Sequence, residues 1–268
     1  MEVEKLGAGY PVVSIVACLH GDEPGGKRAI ERFLGEQRTV EEAVQFVTAN
    51  TEAMEIGDRA VDADLNRSFP GDERSDQHEE RVAHELLKTL QGSRTLDIHA
   101  TNSTRRPFAI SVHFTLETAH LLRATGLDTV VDTSAIPDSD GGLVANVPGV
   151  SVECGHKDDP ETTETAYEVL ENFLAANGAL GAAFDYPADP QVFRIYEKID
   201  HPTDAATLSA ADFELVEEGT EYLTVDGRSI TAEQDFYPVL ASDRTDSYDF
   251  VGFKAKNVGA LSDVVHRS

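Results

Sequence analysis

The residues best suited to do chemistry stand in one tetrapeptide, His20-Gly21-Asp22-Glu23, directly after the apolar run Val12 to Leu19. A His and a Glu separated by two residues in this way, on a turn that leaves a strand and enters a helix, can aim an imidazole nitrogen and a carboxylate oxygen at one cation. Zinc accepts that pair, and a catalytic zinc site wants one more protein ligand and an open position for water. His99 is the natural third ligand, because it ends a second strand-like run that begins at Thr95. The expectation is one zinc ion per chain held by His20, Glu23 and His99, with His113 and His156 as the next candidates. A polar surface turn would account for His20 to Glu23 taken alone. Three companions favour the metal: Arg59 ahead of Asp64-Leu65-Asn66-Arg67, Asp97 two residues before His99, and Glu153 within Val150 to Gly155. Each lies at or after an apolar stretch, where an open α/β sheet places its ligands.

Elements must then carry these groups to one place. Pro24 to Gln37 spaces Ala29, Ile30, Phe33 and Leu34 as a helix, and Ala43 to Ala49 reads as a strand. Asn50 to Gly71 is polar and lacks a regular period, and long structureless loops in compact domains are usually functional. The guanidinium groups of Arg59 and Arg67 and the amide of Asn66 offer donors there for a carboxylate and a carbonyl, which Arg can bind in bidentate fashion. Gln77 to Gln91 is an amphipathic helix with Val82, Ala83, Leu86, Leu87 and Leu90 inside and His78 to Arg81 on its polar side, so His78 and His84 are expected at the surface. Further strands are expected at Pro107–Phe114, Thr129–Val131 and Gly149–Glu153, and a helix at Leu116–Thr125. Pro137 to Pro148, rich in Asp, Gly and Pro, should be a loop reaching over the site. Asp159 should cap a helix that has Pro160 at its first position and ends at Gly178. Beyond Tyr186 there are only short strand-like runs between turns and no helix. The chain therefore divides into an α/β domain over 1–186 and a smaller all-β domain over 187–268.

Composition narrows the function. The chain has 49 acidic and 22 basic residues, a formal charge of -27, and only seven of the basic residues are Lys. Acidity dispersed along the chain suits a surface solvated in high salt, where self-repulsion is screened, and is read as halophilic adaptation. It excludes nucleic acid as a partner, since phosphates need a basic footprint. No run of 18 apolar residues is available to span a membrane. Met1 to Lys5 lacks the basic start and apolar segment of a secretory signal, so the cytoplasm is the expected location. Cys18 and Cys154 sit in strand interiors and read as wall residues rather than a disulfide or ligands.

Taken in order, four motifs resemble the succinylglutamate desuccinylase and aspartoacylase group of zinc carboxypeptidase-like hydrolases. His20 to Glu23 is similar to the group's zinc half-site, Asp64 to Arg67 to its substrate loop, Asp97-Ile98-His99 to its third ligand, and Val152 to Gly155 to its catalytic glutamate. The resemblance implies a mixed central sheet flanked by helices, followed by a β domain that partly covers the entrance. It implies that Arg59, Asn66 and Arg67 face the substrate and that Tyr248 is contributed by the second domain. One feature departs from the group: Ser139 to Val147 contains no basic residue where aspartoacylases carry an arginine for the substrate's carboxylate, and Arg105 or Arg106 is the candidate replacement.

The expected chemistry is removal of an acyl group from a small N-acyl amino acid, a carboxylate, by zinc-activated water. Glu153 would be the general base and Arg59 would stabilise the oxyanion. Asp97 would accept from a ligand imidazole, if its strand position does not face it away. A non-catalytic metal-binding protein of the same fold, a carboxypeptidase, and another small amide or ester hydrolase are the alternatives. A homo-oligomer is compatible with the sequence, which does not decide it.

Overall fold

The apolar runs beside the candidate ligands form parallel strands buried on both faces, as expected where helices cover both sides of a sheet. In the computed structural model, which describes residues 1–136, 139–186, 188–200, 206–242 and 250–265, these are β2 (Val13–Ala17), β3 (Val44–Thr48), β4 (Arg94–Thr101) and β7 (Gly149–His156). To them are added β1 (Glu2–Leu6), β5 (Phe108–Ser111), β6 (Thr129–Asp132), β8 (Gln191–Ile199), β12 (Tyr237–Val239) and β13 (Gly252–Ala260). The ten strands make one sheet in the order β1-β3-β2-β4-β7-β5-β6-β8-β13-β12. It is mixed: β3, β2, β4 and β7 run parallel, and β5 is antiparallel to β7 but parallel to β6.

Strand periodicity separates packing from chemistry. Side chains alternate between the two faces of a strand. Val13, Ile15 and Ala17 of β2, Leu96 and Ile98 of β4, and Val150, Val152 and Cys154 of β7 share one core, together with residues of α1 (Gly25–Gly35) and α6 (Glu161–Ala176). The residues between them, Asp97 and His99 on β4 and Ser151 and Glu153 on β7, therefore belong to the opposite face. There α3 (His78–Leu90) packs Val82, Leu86 and Leu90 against Val16, Leu19 and Val47.

Several local expectations are corrected. Asn50 to Gly71 contains α2 (Thr51–Ile56): the Asn50 side chain accepts the Ala53 N–H at 3.2 Å, and Gly57 ends the helix at φ 69°. It also contains a single 3-10 turn, Leu65–Arg67. Within 137–148 the described residues form a second such turn, Ser139–Gly141, and α5 (Leu143–Asn146), so this segment is not structureless. Helix α6 begins one residue later than expected, with Pro160 at the cap and the Asp159 carboxylate accepting the Glu161 N–H at 3.0 Å. The strand expected over Pro107–Phe114 pairs only at Phe108–Ser111. The helix over Leu116–Ala124, α4, is present.

Past Tyr186 the chain extends the main sheet through β8, β13 and β12. It also builds a separate three-stranded antiparallel sheet from β9 (Ala206–Leu208), β10 (Glu221–Val225) and β11 (Arg228–Thr231). The absence of helix expected there is corrected by α7 (Leu261–Val265), whose Leu261 and Val264 join the main core. Five residues are too few to display a helical period. No described helix is long and apolar enough to cross a membrane.

Candidate metal centre and active site

The turn after β2 is built around a close approach. Cys18 adopts φ 59°, a left-handed conformation that costs free energy in a non-glycine residue, two residues before His20. A Cβ on Gly21 would lie 2.3 Å from the Ala53 carbonyl carbon and 2.5 Å from the Asp58 oxygen, so only glycine lets α2 close on the turn. The Gly21 N–H in turn donates to the Arg59 carbonyl at 3.1 Å.

His20, Glu23 and His99 are buried together, and one ligand atom from each lies within 4.8 Å of the others. Nδ1 of His20 is 2.8 Å from Glu23 Oε1, and Nδ1 of His99 is 3.0 Å from Glu23 Oε2. Each ring's far nitrogen meets another carboxylate: His20 Nε2 lies 3.0 Å from Asp64 and His99 Nε2 lies 2.8 Å from Asp97. Carboxylates on the far nitrogens are what orient metal-ligating imidazoles and raise their basicity. Asp97 reaches His99 because two residues on one strand share a face, and Ser151, its register partner on β7, donates to it at 2.9 Å.

The charge balance also fits a cation. Four carboxylates, Glu23, Asp64, Asp97 and Glu153, surround two imidazoles and Arg59. Burial alone would keep both imidazoles neutral, but Glu23 and Asp64 hold His20 above its ordinary range, and Asp97 and Glu23 hold His99 well above it. Glu23 is held well below the usual carboxylate range, its burial outweighed by the two imidazoles. Two imidazoles and a carboxylate are a donor set that zinc takes with a position left open.

Glu153 stands opposite His99 in the β4–β7 register. Its Oε2 is buried and has no hydrogen-bond partner among the described residues. Burial pushes its carboxyl up to about 7, against the opposing influence of His99 and His20. A structural pairing of Glu153 with Lys157 is not formed, since Lys157 donates to Asp22 at 2.9 Å instead. Arg59 donates to Glu23 at 3.3 Å and to Asp64 at 3.0 Å, which fixes it at the edge of the ligand set.

One cavity brings together His20, Glu23, His99, Glu153, Arg59, Asn66 and Arg67. The Asn66 side-chain oxygen accepts the Leu143 N–H at 2.9 Å, latching α5 to the 3-10 turn. Arg67 is exposed and donates to the Asn66 carbonyl at 2.7 Å, with no carboxylate partner among the described residues. Arg105 and Arg106 do not line the cavity: Arg105 pairs with Asp159, and Arg106 with Asp128 and Thr129. They therefore do not replace the missing basic residue. Tyr248 lies outside the described residues. Cys18 and Cys154 are free and buried, and burial pushes both thiols up, that of Cys18 to about 12, as suits wall residues.

The expectation that His78 and Glu79 face solvent is corrected, since both are buried. Glu79 accepts the N–H groups of Val61, Asp62 and Ala63 at 2.7 to 3.0 Å and the Asn50 amide at 3.0 Å. It thereby anchors the backbone just ahead of Asp64, which supports His20. His78 donates its N–H to Asp62 at 2.7 Å and its ring contacts Asn50 at 3.1 Å. A polar residue on the first turn of an amphipathic helix carries no signal that distinguishes solvent from a neighbouring loop. Glu79→Ala strands four donors of which Glu79 is the partner, and should cost about 2–4 kcal/mol in denaturant unfolding at high salt. Glu79→Gln, which keeps an acceptor oxygen, should cost less.

Fold and site together define an α/β protein of the metal-hydrolase kind. Residues 10–176 match the succinylglutamate desuccinylase/aspartoacylase catalytic domain, and the chain belongs to that family, whose members are metal-dependent deacylases. Comparison with curated proteins gave no match. Among solved structures, the chain is similar to the product-bound ectoine utilization protein EutE (DoeB) from Ruegeria pomeroyi, with a TM-score of 0.78 at 18% identity over 96% of this chain and 88% of that one. It is similar to a succinylglutamate desuccinylase/aspartoacylase from Rhodobacter sphaeroides, with a TM-score of 0.75 at 17% identity over 95% and 88%. It is also similar to murine aminoacylase 3, with a TM-score of 0.71 at 20% identity over 94% and 97%. At such identities the likeness is one of fold.

Proposed function

We propose that the chain is a zinc-dependent amidohydrolase that removes the acyl group from a small N-acyl amino acid, with His20, Glu23 and His99 holding the metal. The observation that carries this reading is Glu153: a carboxylate with a buried oxygen that has no hydrogen-bond partner among the described residues, in register with His99 and open to the same cavity. Zinc, when bound, supplies a Lewis acid for the scissile carbonyl and brings the pKa of water down to ~7. Glu153 takes the proton of the attacking water and passes it to the leaving amine. Arg59, held by Glu23 and Asp64, places positive charge beside the carbonyl oxygen as it becomes negative. Asp64 and Asp97 engage the far ring nitrogens, so Nδ1 of each imidazole is the atom that would hold the metal. Asn66 and Arg67 receive the substrate's carboxylate. Residues 1–186 are the unit that carries the chemistry, and 187–268 the unit that adds a wall through Leu240, Phe250 and Phe253.

The reading is tested by amine release from a panel of N-acyl amino acids in high salt, lost on chelation and restored by zinc. Within that assay, Arg67→Ala should raise the Michaelis constant for a carboxylate substrate by roughly 1.5–3 kcal/mol of lost charge-assisted bonding. Its uncharged methyl ester should be affected less. Equal losses on acid and ester would show that Arg67 only shapes the loop.

A further inference from the structure

The metal turn and the candidate base belong to strands that are not neighbours. In the sheet order β4 lies between β2 and β7. Adjacent strands are spaced by about 4.8 Å, so the turn that carries His20 and Glu23 and the strand that carries Glu153 stand about 10 Å apart. The β4–β7 ladder is regular only as far as Glu153. His99 is opposite Glu153, but Thr101 is opposite His156, so β7 uses three residues where β4 uses two. Such a bulge disrupts the ladder locally and re-aims the residues that follow. Gly155 permits it at φ 121°, where a Cβ would lie 3.1 Å from the Arg105 carbonyl oxygen.

Lys157 ties the chain down again directly after the bulge. Its N–H donates to the carbonyl of Thr101, two residues past His99, at 2.9 Å. Its ammonium donates at 2.9 Å to Asp22, which stands between His20 and Glu23. One residue thereby joins the end of β7 to both segments that carry the candidate ligands. Oδ1 of Asp22 is buried and has no hydrogen-bond partner among the described residues, so the ion pair is what fixes that carboxylate. The two side chains are 27% and 21% exposed, and a partly buried pair of this kind survives the screening of high salt better than a surface pair. Both residues line the cavity, which makes direct contact with substrate the rival reading for Lys157.

We infer that Lys157, acting through Asp22, is a positioning residue: the pair holds Glu153 at its working distance from the metal turn. The inference rests on the proposed hydrolase reading and goes beyond it by naming what sets the base against the metal. A general base must lie within hydrogen-bond reach of the water it deprotonates, and a misplacement of about 1 Å can lower the rate by ~10²-fold. Zinc and substrate are held by other residues, so the loss should fall on kcat.

The test compares Lys157→Met, Lys157→Arg, Asp22→Ala and the Asp22→Ala/Lys157→Met double variant, each zinc-loaded in high salt, for zinc content, kcat and KM. Lys157→Met should lower kcat by about 10- to 100-fold while KM and zinc content stay within about twofold. Lys157→Arg, which keeps the cation, should retain most of the rate. Asp22→Ala should reproduce the loss, and the double variant should be no slower than either single one, because all three break the same interaction. A raised KM with kcat unchanged would make Lys157 a substrate contact, and additive losses or loss of zinc would give the two residues separate roles; each of these results overturns the inference. Crystal structures of the zinc-loaded unsubstituted and Lys157→Met proteins provide a reading without turnover. The Glu153 carboxylate should shift from its place opposite His99 by about 1 Å, and an unmoved carboxylate overturns the inference. If the unsubstituted protein releases no amine from any N-acyl amino acid, the hydrolase reading fails, and the displacement of Glu153 alone decides whether the pair positions it.

Discussion

His99→Ala is expected to lose the metal and the turnover together. In the proposed site three protein ligands would hold the ion, and removing one would leave His20 and Glu23, two neighbours on a single turn, to hold it alone. The loss of affinity should exceed the ~10–100-fold typical of removing an outer carboxylate such as Asp97, so Asp97→Asn is the graded comparison. Zinc content after dialysis and amine release, measured on the same samples, report the two effects. Retention of stoichiometric zinc by the Ala variant would remove His99 from the ligand set. The structure offers no easy substitute: His113 is exposed, and the ring of His156 accepts the Asp158 N–H at 3.2 Å. Stability should also change in the metal-free protein. His99 is the principal cationic partner of Asp97, a carboxylate fully buried in β4, and without it Asp97 keeps, among the described residues, the Ser151 hydroxyl alone. Breaking a buried pair by removing one partner typically costs ~3–5 kcal/mol, so the variant should unfold at lower denaturant even without zinc.

The parts of this site that are legible in the sequence are those written in short-range pattern. His20 and Glu23 follow an apolar strand, and Asp97 and His99 obey a period of two that puts both on one face. The β4–β7 register that sets Glu153 opposite His99 is a consequence of two parallel apolar runs lying side by side, which the composition of each run announces. Helix α2 is signalled only by its ends, Asn50 and Gly57, because six residues with one buried side chain have no period to display. What is not legible depends on pairings remote along the chain. Asp64 meets His20 across 44 residues, and Glu79 reaches back 16 to 18 residues to the backbone N–H groups of Val61, Asp62 and Ala63. The apolar side chains lining the cavity, Ile110, Ile136, Leu240 and Phe253, come from β5, from the segment after β6 and from the far end of the chain, so they carry no sign of the site until the sheet order places them together. The C-terminal strands likewise alternate in a way that fits either a separate sheet or an extension of the first. The pairing of β8 with β6 makes it an extension, and only β9 to β11 stand apart.

Glu153→Gln is expected to leave zinc bound and reduce turnover by ~10²- to 10⁴-fold, the range over which a positioned base contributes. The substitution preserves shape and burial but removes the carboxylate that opens to the cavity opposite His99. In the metal-free protein burial raises the Glu153 carboxyl to about 7. The folded state then binds the proton more tightly than the unfolded chain, whose Glu titrates near ~4.3. The stability this contributes is fully present below the unfolded value and is lost as pH rises through about 7. The metal-free Gln variant, which has no such proton, should lack that decline between pH ~4.3 and ~7. A bound dication favours the carboxylate and moves its titration to lower pH. The acid limb of kcat/KM in the zinc-loaded protein should therefore lie below the limb seen in the metal-free stability curve, with activity falling as pH drops and Glu153 becomes protonated. The residual activity of the Gln variant should show no limb at that position. Near-normal turnover with the limb intact would assign the base elsewhere in the cavity, and Asp22, whose Oδ1 is buried without a hydrogen-bond partner among the described residues, would be the next carboxylate to replace.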